Sequence, residues 1–206
     1  MSIQQPVLIS LAKEPALIEE ALLFINAVAQ ARHKAAPPPP PEILFSATQD
    51  GAVVGTIALD FCDGSRLLLL EHIYHFDTSP FSPEFPHDTV AQYGRWMCPS
   101  LPRISIALAY IATIYSLHFG KTYGWFEAKP FIAKRLSEIG MELEEVSPAT
   151  LRLEQIHEGG RSYYTEEPVP RIYKMHLERF ARALLPAVHA MIQENILILD
   201  TSFLNS

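Results

Sequence analysis

Cysteine is almost missing from this chain. Cys62 and Cys98 are the only two in 206 residues, and they form no C-x-x-C pair. The sequence therefore builds neither a disulfide framework nor a Cys-based zinc site, and a reducing compartment is expected. Cationic residues are also in deficit. Sixteen Lys and Arg stand against 23 Asp and Glu, for a formal charge of -7. A nucleic-acid binder needs a broad Lys/Arg surplus to neutralise phosphates, so no nucleic-acid partner is expected. Long apolar runs are missing as well. The greasiest stretch, Ile104 to Phe119, is interrupted by Ser105, Thr113, Ser116 and His118. It falls short of the ~20 residues that a bilayer span requires, which predicts a buried helix and no membrane span. Met1 to Ala12 shows neither a basic start nor a signal-type cleavage pattern, and the expectation is a mature cytoplasmic protein. Nucleophilic serine chemistry has no motif, since Ser65 and Ser100 stand outside any G-x-S-x-G elbow. Metal chemistry has none either: His72 and His75 fall on opposite faces of an expected strand, with no H-E-x-x-H and no paired Cys.

What is present is apolar material, 49% of the chain. That is enough to close one sizeable core, so a single domain over residues 1–206 is expected, with 165–206 as a C-terminal helical extension. Val7 to Leu11 reads as a strand and Glu14 to Lys34 as an amphipathic helix. Pro37 to Pro41 then forms a stiff spacer. Ile43 to Thr48, the turn pair Asp50-Gly51 and Ala52 to Phe61 make a hairpin, and Asp63-Gly64 leads into a third run, Leu67 to Phe76, read as another strand. Thr89 to Cys98 is a strand, and Leu101 to Phe119 a long apolar helix ended by Gly120. Thr122 to Ala128 is a strand and Phe131 to Ile139 a helix closed by Gly140. Met141 to Val146 and Thr150 to Ile156 are two more strands. The tail carries a polar loop with Gly159-Gly160, a helix from about Tyr173 to Glu194 that Pro186 can kink, and a last strand, Ile196 to Leu199. Ile172, Met175, Phe180, Leu184, Val188 and Met191 would either cap the core from this tail or form a dimer face, core capping being the commoner use.

This order, over about Val7 to Ile156, resembles the GNAT acyltransferase fold. The local piece that carries most of the likeness is Phe126-Glu127-Ala128-Lys129-Pro130 through Ile139-Gly140-Met141, which looks like that superfamily's strand, helix and Gly-hydrophobe ending. Gln92-Tyr93-Gly94-Arg95-Trp96 resembles the E-x-x-R-F signature of the acyl-homoserine lactone synthases, with Gln92 in the Glu position. The fold implied is α/β (α+β): a mixed, mostly antiparallel sheet with helices on both faces, split between its fourth and fifth strands, plus a C-terminal helix. The activity implied is transfer of an acyl chain from the phosphopantetheine thioester of acyl carrier protein, or of CoA, to the amine of a small molecule such as an amino acid. Acetyl-CoA-dependent N-acetylation and non-catalytic acyl-ligand binding are the alternatives. No metal is implied.

Several residues are candidates for that chemistry. An amide cannot act as a base at useful pH, so Gln92 departs from the signature. In a regular strand Gln92 and Arg95 would face opposite sides; a bulge near Gly94 would bring both to one cleft and free backbone N–H groups to polarise a thioester carbonyl, with Met97 or Cys98 as the donor. The glycine-rich pyrophosphate turn is absent, because no glycine lies between Gly94 and Gly120. Ser100 as an N-cap and Arg103 as a phosphate contact stand there instead, next to Trp96. Glu71, inside an apolar run, and Glu127, at the end of its strand, are the candidate bases. The helix after that strand has no Tyr to serve as general acid, which leaves Tyr93 and Tyr123. From Leu101 to Arg135, five basic residues (Arg103, Lys121, Lys129, Lys134, Arg135) face Glu127 alone, a local charge of +4 in a chain of -7. Such a face suits an acidic partner like acyl carrier protein, although dispersed solvated charges account for it equally well. Tyr74, Phe76, Phe81, Phe85, Trp96 and Trp125 either line an acyl channel or form ordinary core, the commoner use.

Overall fold

A computed structural model describes residues 5–33, 40–62, 67–76, 78–146, 149–156 and 158–205. Pro37 to Pro39 of the proline spacer, the Asp63-Gly64 turn and Ser65 lie outside them.

The chain runs β1 (Val7–Leu11), α1 (Pro15–His33), β2 (Ile43–Gln49), β3 (Ala52–Phe61), α2 (Leu69–Ile73), β4 (Tyr74–Phe76) and β5 (Val90–Met97). It continues with α3 (Pro102–His118), β6 (Tyr123–Ala128), α4 (Pro130–Glu138), β7 (Glu144–Glu145), β8 (Ala149–Leu151), α5 (Arg161–Thr165), β9 (Arg171–His176), α6 (Leu177–Gln193) and β10 (Leu197–Leu199). Eight strands form one sheet in the order β10-β1-β2-β3-β5-β6-β9-β7, while β4 and β8 pair separately. Among the described residues, only β1–β10 and β5–β6 are parallel pairs.

Two departures from the sequence pattern matter for the site. Leu67 to Phe76 is not one strand: its first part turns as α2, and only Tyr74–Phe76 is extended. Gln92 Oε1 accepts the Leu70 N–H at 2.9 Å and Glu71 Oε2 accepts the Leu68 N–H at 2.7 Å, so tertiary bonds to its backbone override an apolar pattern that fits either state. The second departure is β9. The sequence pattern starts the last helix at about Tyr173, but Arg171–His176 is a full strand against β6, and the helix begins at Leu177. Because α2 and β4 stand outside the main sheet, β5 and β6 are its fourth and fifth strands.

Helix α3 shows why the apolar stretch is buried. Pro102 starts it with a fixed φ, and Ile104, Ala107, Leu108, Ile111, Ala112 and Tyr115 sink into the core. Gly120, at φ 73°, ends it while the Lys121 N–H returns to Ser116 O at 2.9 Å. Helices α3 and α6 pack against each other. They cover one sheet face, with Phe180, Leu184, Val188 and Met191 in the same core as Phe45 and Leu108. Pro186 does not interrupt α6; it sits on the exposed side of the helix. On the opposite face, α1 covers β2 and β3, and a separate cluster around Leu68, Leu70, Tyr74, Val90, Trp125 and Ile172 fills the space beneath α2, β4 and β8. No helix among the described residues is long and apolar enough to cross a membrane.

Leu184 is 1% exposed at the α3–α6 contact. Leu184→Ala is expected to lower the unfolding free energy by about 2–5 kcal/mol in urea titration. A loss under ~1 kcal/mol would place α6 outside the cooperative core.

Candidate active site

The pairing between β5 and β6 is short. Val90, Ala91 and Gln92 lie opposite Tyr123, Gly124 and Trp125, and there the ladder stops. Beyond that rung β5 stays bonded to β3 and β6 to β9, so the two strands part and leave a gap open toward their C-terminal ends. On the β3 side, Ala58 pairs with Gly94 while Thr56 pairs with Met97, which inserts one extra residue into β5. The expected bulge is therefore present. It centres on Arg95, held at φ 48° with its carbonyl accepting the Thr56 hydroxyl at 3.0 Å.

Asp60 is the register partner of Gln92, so both face the same way, and the Arg95 guanidinium reaches Asp60 at 3.8 Å. Gln92 and Arg95 thus share one face. Burial pushes the Asp60 carboxyl up and the Arg95 guanidinium down, and their mutual attraction opposes both shifts. A small hollow of about 120 Å³ opens beside them, bounded by Leu67 to Leu69, His72 and Phe61. A larger cleft of about 450 Å³ lies elsewhere, at the β7–β9 edge around the Lys174–Glu144 ion pair; of the expected residues, Phe85 and Tyr123 line it.

Across the gap, alternation puts Trp125 and Glu127 on that same face. Trp125 is fully buried against Phe76 and Phe81, and its indole N–H meets no acceptor among the described residues. Glu127 accepts the hydroxyls of Tyr74 at 3.1 Å and Tyr164 at 2.9 Å. Burial pushes its carboxyl up to about 7; the two phenols and Lys129 pull in the other direction without cancelling it. Lys129 caps the start of α4, donates to Glu166 O at 2.8 Å and lies over the Tyr163 ring. Burial and the nearby carboxylate push the Tyr74, Tyr163 and Tyr164 phenols well above their usual range, which keeps them protonated as donors.

The other expected residues are distributed as follows. Glu71 does not face the gap: it sits on α2, tied to the Leu68 N–H and to His87 Nε2 at 2.7 Å. Gln92 is 3% exposed and its carbonyl is committed to α2. Trp96 turns to the opposite face, where its indole N–H donates to Ser105 O at 3.1 Å. Met97 packs under α1. Cys98 Sγ donates to Leu101 O at 3.2 Å, and burial pushes its thiol up to about 11. Ser100 is not an N-cap; Leu101 holds that place, without a side-chain bond. Tyr93 points into the α3 core toward Thr113 and Ser116, and Tyr123 is bonded to Glu84 O at 2.9 Å, so neither reaches the gap. Tyr74, Phe76, Phe81, Phe85 and Trp125 belong to one buried cluster with rings in mutual contact. Among the described residues, no group of three or more His, Cys, Asp or Glu is placed to hold a metal ion.

The start of α3 does not suit a nucleotide pyrophosphate. Pro102 offers no N–H, the N–H groups of Ile104 and Ser105 both return to Leu101 O, and Arg103 is paired with Glu194 at 2.9 Å. Of the basic run, Lys121 donates to Cys62 O and Asp88 O, and Lys129 to Glu166 O. Lys134 and Arg135 stand exposed on α4.

No family model and no curated protein matches the sequence. Solved structures do match the fold. LasI, an acyl-homoserine lactone synthase, superposes with a TM-score of 0.61 at 14% identity, over 88% of this chain and 96% of its own. FeeM, an N-acyl amino acid synthase from uncultured soil microbes, gives 0.64 at 14%, over 88% and 96%. This chain has the GNAT-type acyltransferase fold. BjaI, a CoA-dependent acyl-homoserine lactone synthase solved with SAM and isopentyl-CoA, gives 0.58 at 13% identity over 95% of this chain and 93% of its own.

The Glu127 shift carries a stability signature. The unfolded chain releases this proton near 4.5 and the folded chain near 7, so the folded state binds more protons across that window. The contribution is present below about 4.5 and is lost as pH rises through about 7. Glu127→Gln is expected to flatten the stability-pH curve there, as read by thermal melts at several pH values. An unchanged slope would show an ordinary carboxylate.

Proposed function

We propose that this protein is an N-acyltransferase that moves an acyl chain from a phosphopantetheine thioester to the amine of a small molecule such as an amino acid. The observation that supports it is the pairing of the opened strands, bulged at Arg95, with a carboxyl near pH 7 on the opposite lip. Transfer needs a free amine, a polarised thioester carbonyl and a protected path for one proton. In this reading the thioester enters between β5 and β6, and the β5 backbone past the bulge, around Met97 and Cys98, donates to the carbonyl oxygen. Arg95 is a positioning residue that fixes the bulge through Asp60. Glu127, ionised above about 7, takes the proton from the acceptor ammonium. The amine nitrogen then attacks the carbonyl carbon and the C–N bond forms; as the C–S bond breaks, the nitrogen loses its second proton, which the departing thiolate collects. Glu71, Gln92 and Trp96 shape the frame and do not touch the reacting atoms.

Acyl carrier protein is the donor this reading favours over CoA. Lys134 and Arg135 on exposed α4 offer charge to an acidic carrier, while the α3 start offers little to a pyrophosphate. BjaI, solved with isopentyl-CoA, makes CoA the donor to test beside it.

The test is mass spectrometry of products and free thiol when acyl carrier protein and CoA thioesters are offered with a mixture of amino acids. The expected result is an N-acyl product from the carrier thioester, with Glu127→Gln slower by about 10²–10⁴-fold. In the active protein kcat/KM is expected to rise with pH through about 7, and Tyr164→Phe, which removes a bond that lowers the Glu127 carboxyl, to move that limb upward. Binding without thiol release from any donor would replace catalysis by acyl-ligand binding, and no binding would sink both.

A further inference from the structure

A second group of reactive side chains lies away from the open end of the gap. Cys62 follows the last residue of β3, and Phe61 before it pairs with Ala91, so the thiol sits level with the closed, fully paired end of β5. Its Sγ lies 2.9 Å from His87 Nδ1, and His87 Nε2 lies 2.7 Å from Glu71 Oε2. With the carboxylate accepting the Nε2 proton, Nδ1 is the acceptor turned toward the thiol. That is the order of nucleophile, base and orienting acid found where a thiol is activated. Lys121 Nζ, donating to the carbonyl of Cys62 itself at 2.6 Å, adds positive charge beside the sulfur. The Phe81 ring, 4.4 Å from the imidazole, holds the base in place.

The acyl-transfer reading leaves this trio unused. Cys62 is 1% exposed, whereas the His87 side chain keeps 24% of its surface, so approach runs past the imidazole and admits only something small. A bulky or charged reagent would also have to be desolvated in the apolar cluster around Leu68, Phe85 and Val90. We propose that Cys62, His87 and Glu71 form a nucleophilic thiol centre, separate from the acyl-transfer gap, that is modified by small uncharged electrophiles of the peroxide class. The Cys62 proton passes to His87 Nδ1, and the sulfur attacks one oxygen of hydrogen peroxide. The S–O bond forms as the O–O bond breaks. The departing hydroxide takes the proton back from His87 and leaves as water. Sulfur is oxidised to the sulfenic acid and peroxide is reduced.

The other cysteine supplies the control. Cys98 is the more exposed of the two, but its Sγ donates to Leu101 O and its burial pushes the thiol up to about 11. Access alone predicts that Cys98 reacts first, and activation by His87 predicts Cys62. The full chain is treated with hydrogen peroxide at neutral pH in the presence of dimedone, and the sulfenic adduct is located by peptide mapping. Cys62 is expected to label about tenfold or more faster than Cys98. His87→Asn should slow Cys62 labelling by about tenfold while leaving Cys98 unchanged, although the smaller side chain opens the path to the sulfur. Labelling at Cys98 first, no label at Cys62, or an undiminished rate in His87→Asn would overturn the proposal. If His87→Asn does not fold, the ratio of the two cysteines in the unaltered chain decides alone.

Discussion

Everything at the candidate site depends on where one hydrogen-bond ladder ends. Buried backbone donors and acceptors must find partners, and β5 and β6 satisfy each other over three rungs, from Val90 to Gln92 and Tyr123 to Trp125. Past that point each strand is secured on its other side, by β3 and by β9. The separation therefore costs neither strand its place in the sheet. Strand β9 is essential here, because without it the C-terminal half of β6 would be a bare edge. The tail of the chain is part of the split, not an appendage to it.

The polar bonds on the site face reinforce this arrangement. Gln92 and Glu71 fix the α2 turn over the paired end of β5, and Asp60 holds the bulge residue Arg95. On the other lip, the Glu127 carboxylate joins β6 to Tyr74 on β4 and Tyr164 on α5, elements of the layer that covers this face. Each bond closes a long loop in sequence, 53 residues for Tyr74 and 37 for Tyr164. The carboxyl that ties two layers together is also one whose pKa is pushed up to about 7. Structural and chemical roles converge on the same side chain.

The regular elements were legible because their signals are local. Apolar spacing marked α1, α3 and β1 to β3, Gly120 and Gly140 marked helix ends at positive φ, and the five-residue reach of Gln92-Tyr93-Gly94-Arg95-Trp96 implied the bulge. Glu127 could be placed on its face by strand alternation, whereas Arg95 joins the Gln92 face only through the bulge, which the resemblance implied and alternation alone would have denied. Tyr74, Tyr163 and Tyr164 were missed as partners of Glu127. They come from a three-residue strand and a five-residue helix, too short to carry a period. Glu71 was misplaced for a related reason: Leu67 to Phe76 is apolar enough for either state, and the bond that decides it comes from Gln92, far along the chain. Strand β9 was hidden because its buried residues, Ile172, Tyr173 and Met175, run without a break into the stripe of α6.

The chain has two tryptophans, and the fold puts one on each lip of the split. Trp125 is fully buried at the last shared rung of β6, packed against Phe76 and Phe81. Trp96 is half-buried on β5 and turned to the other face, bonded to Ser105 O. Intrinsic emission is thus a built-in optical gauge of the gap. A molecule wedged between the strands disturbs the dry indole on one side and the wetter one on the other, so blue and red components of the spectrum respond separately without any added dye.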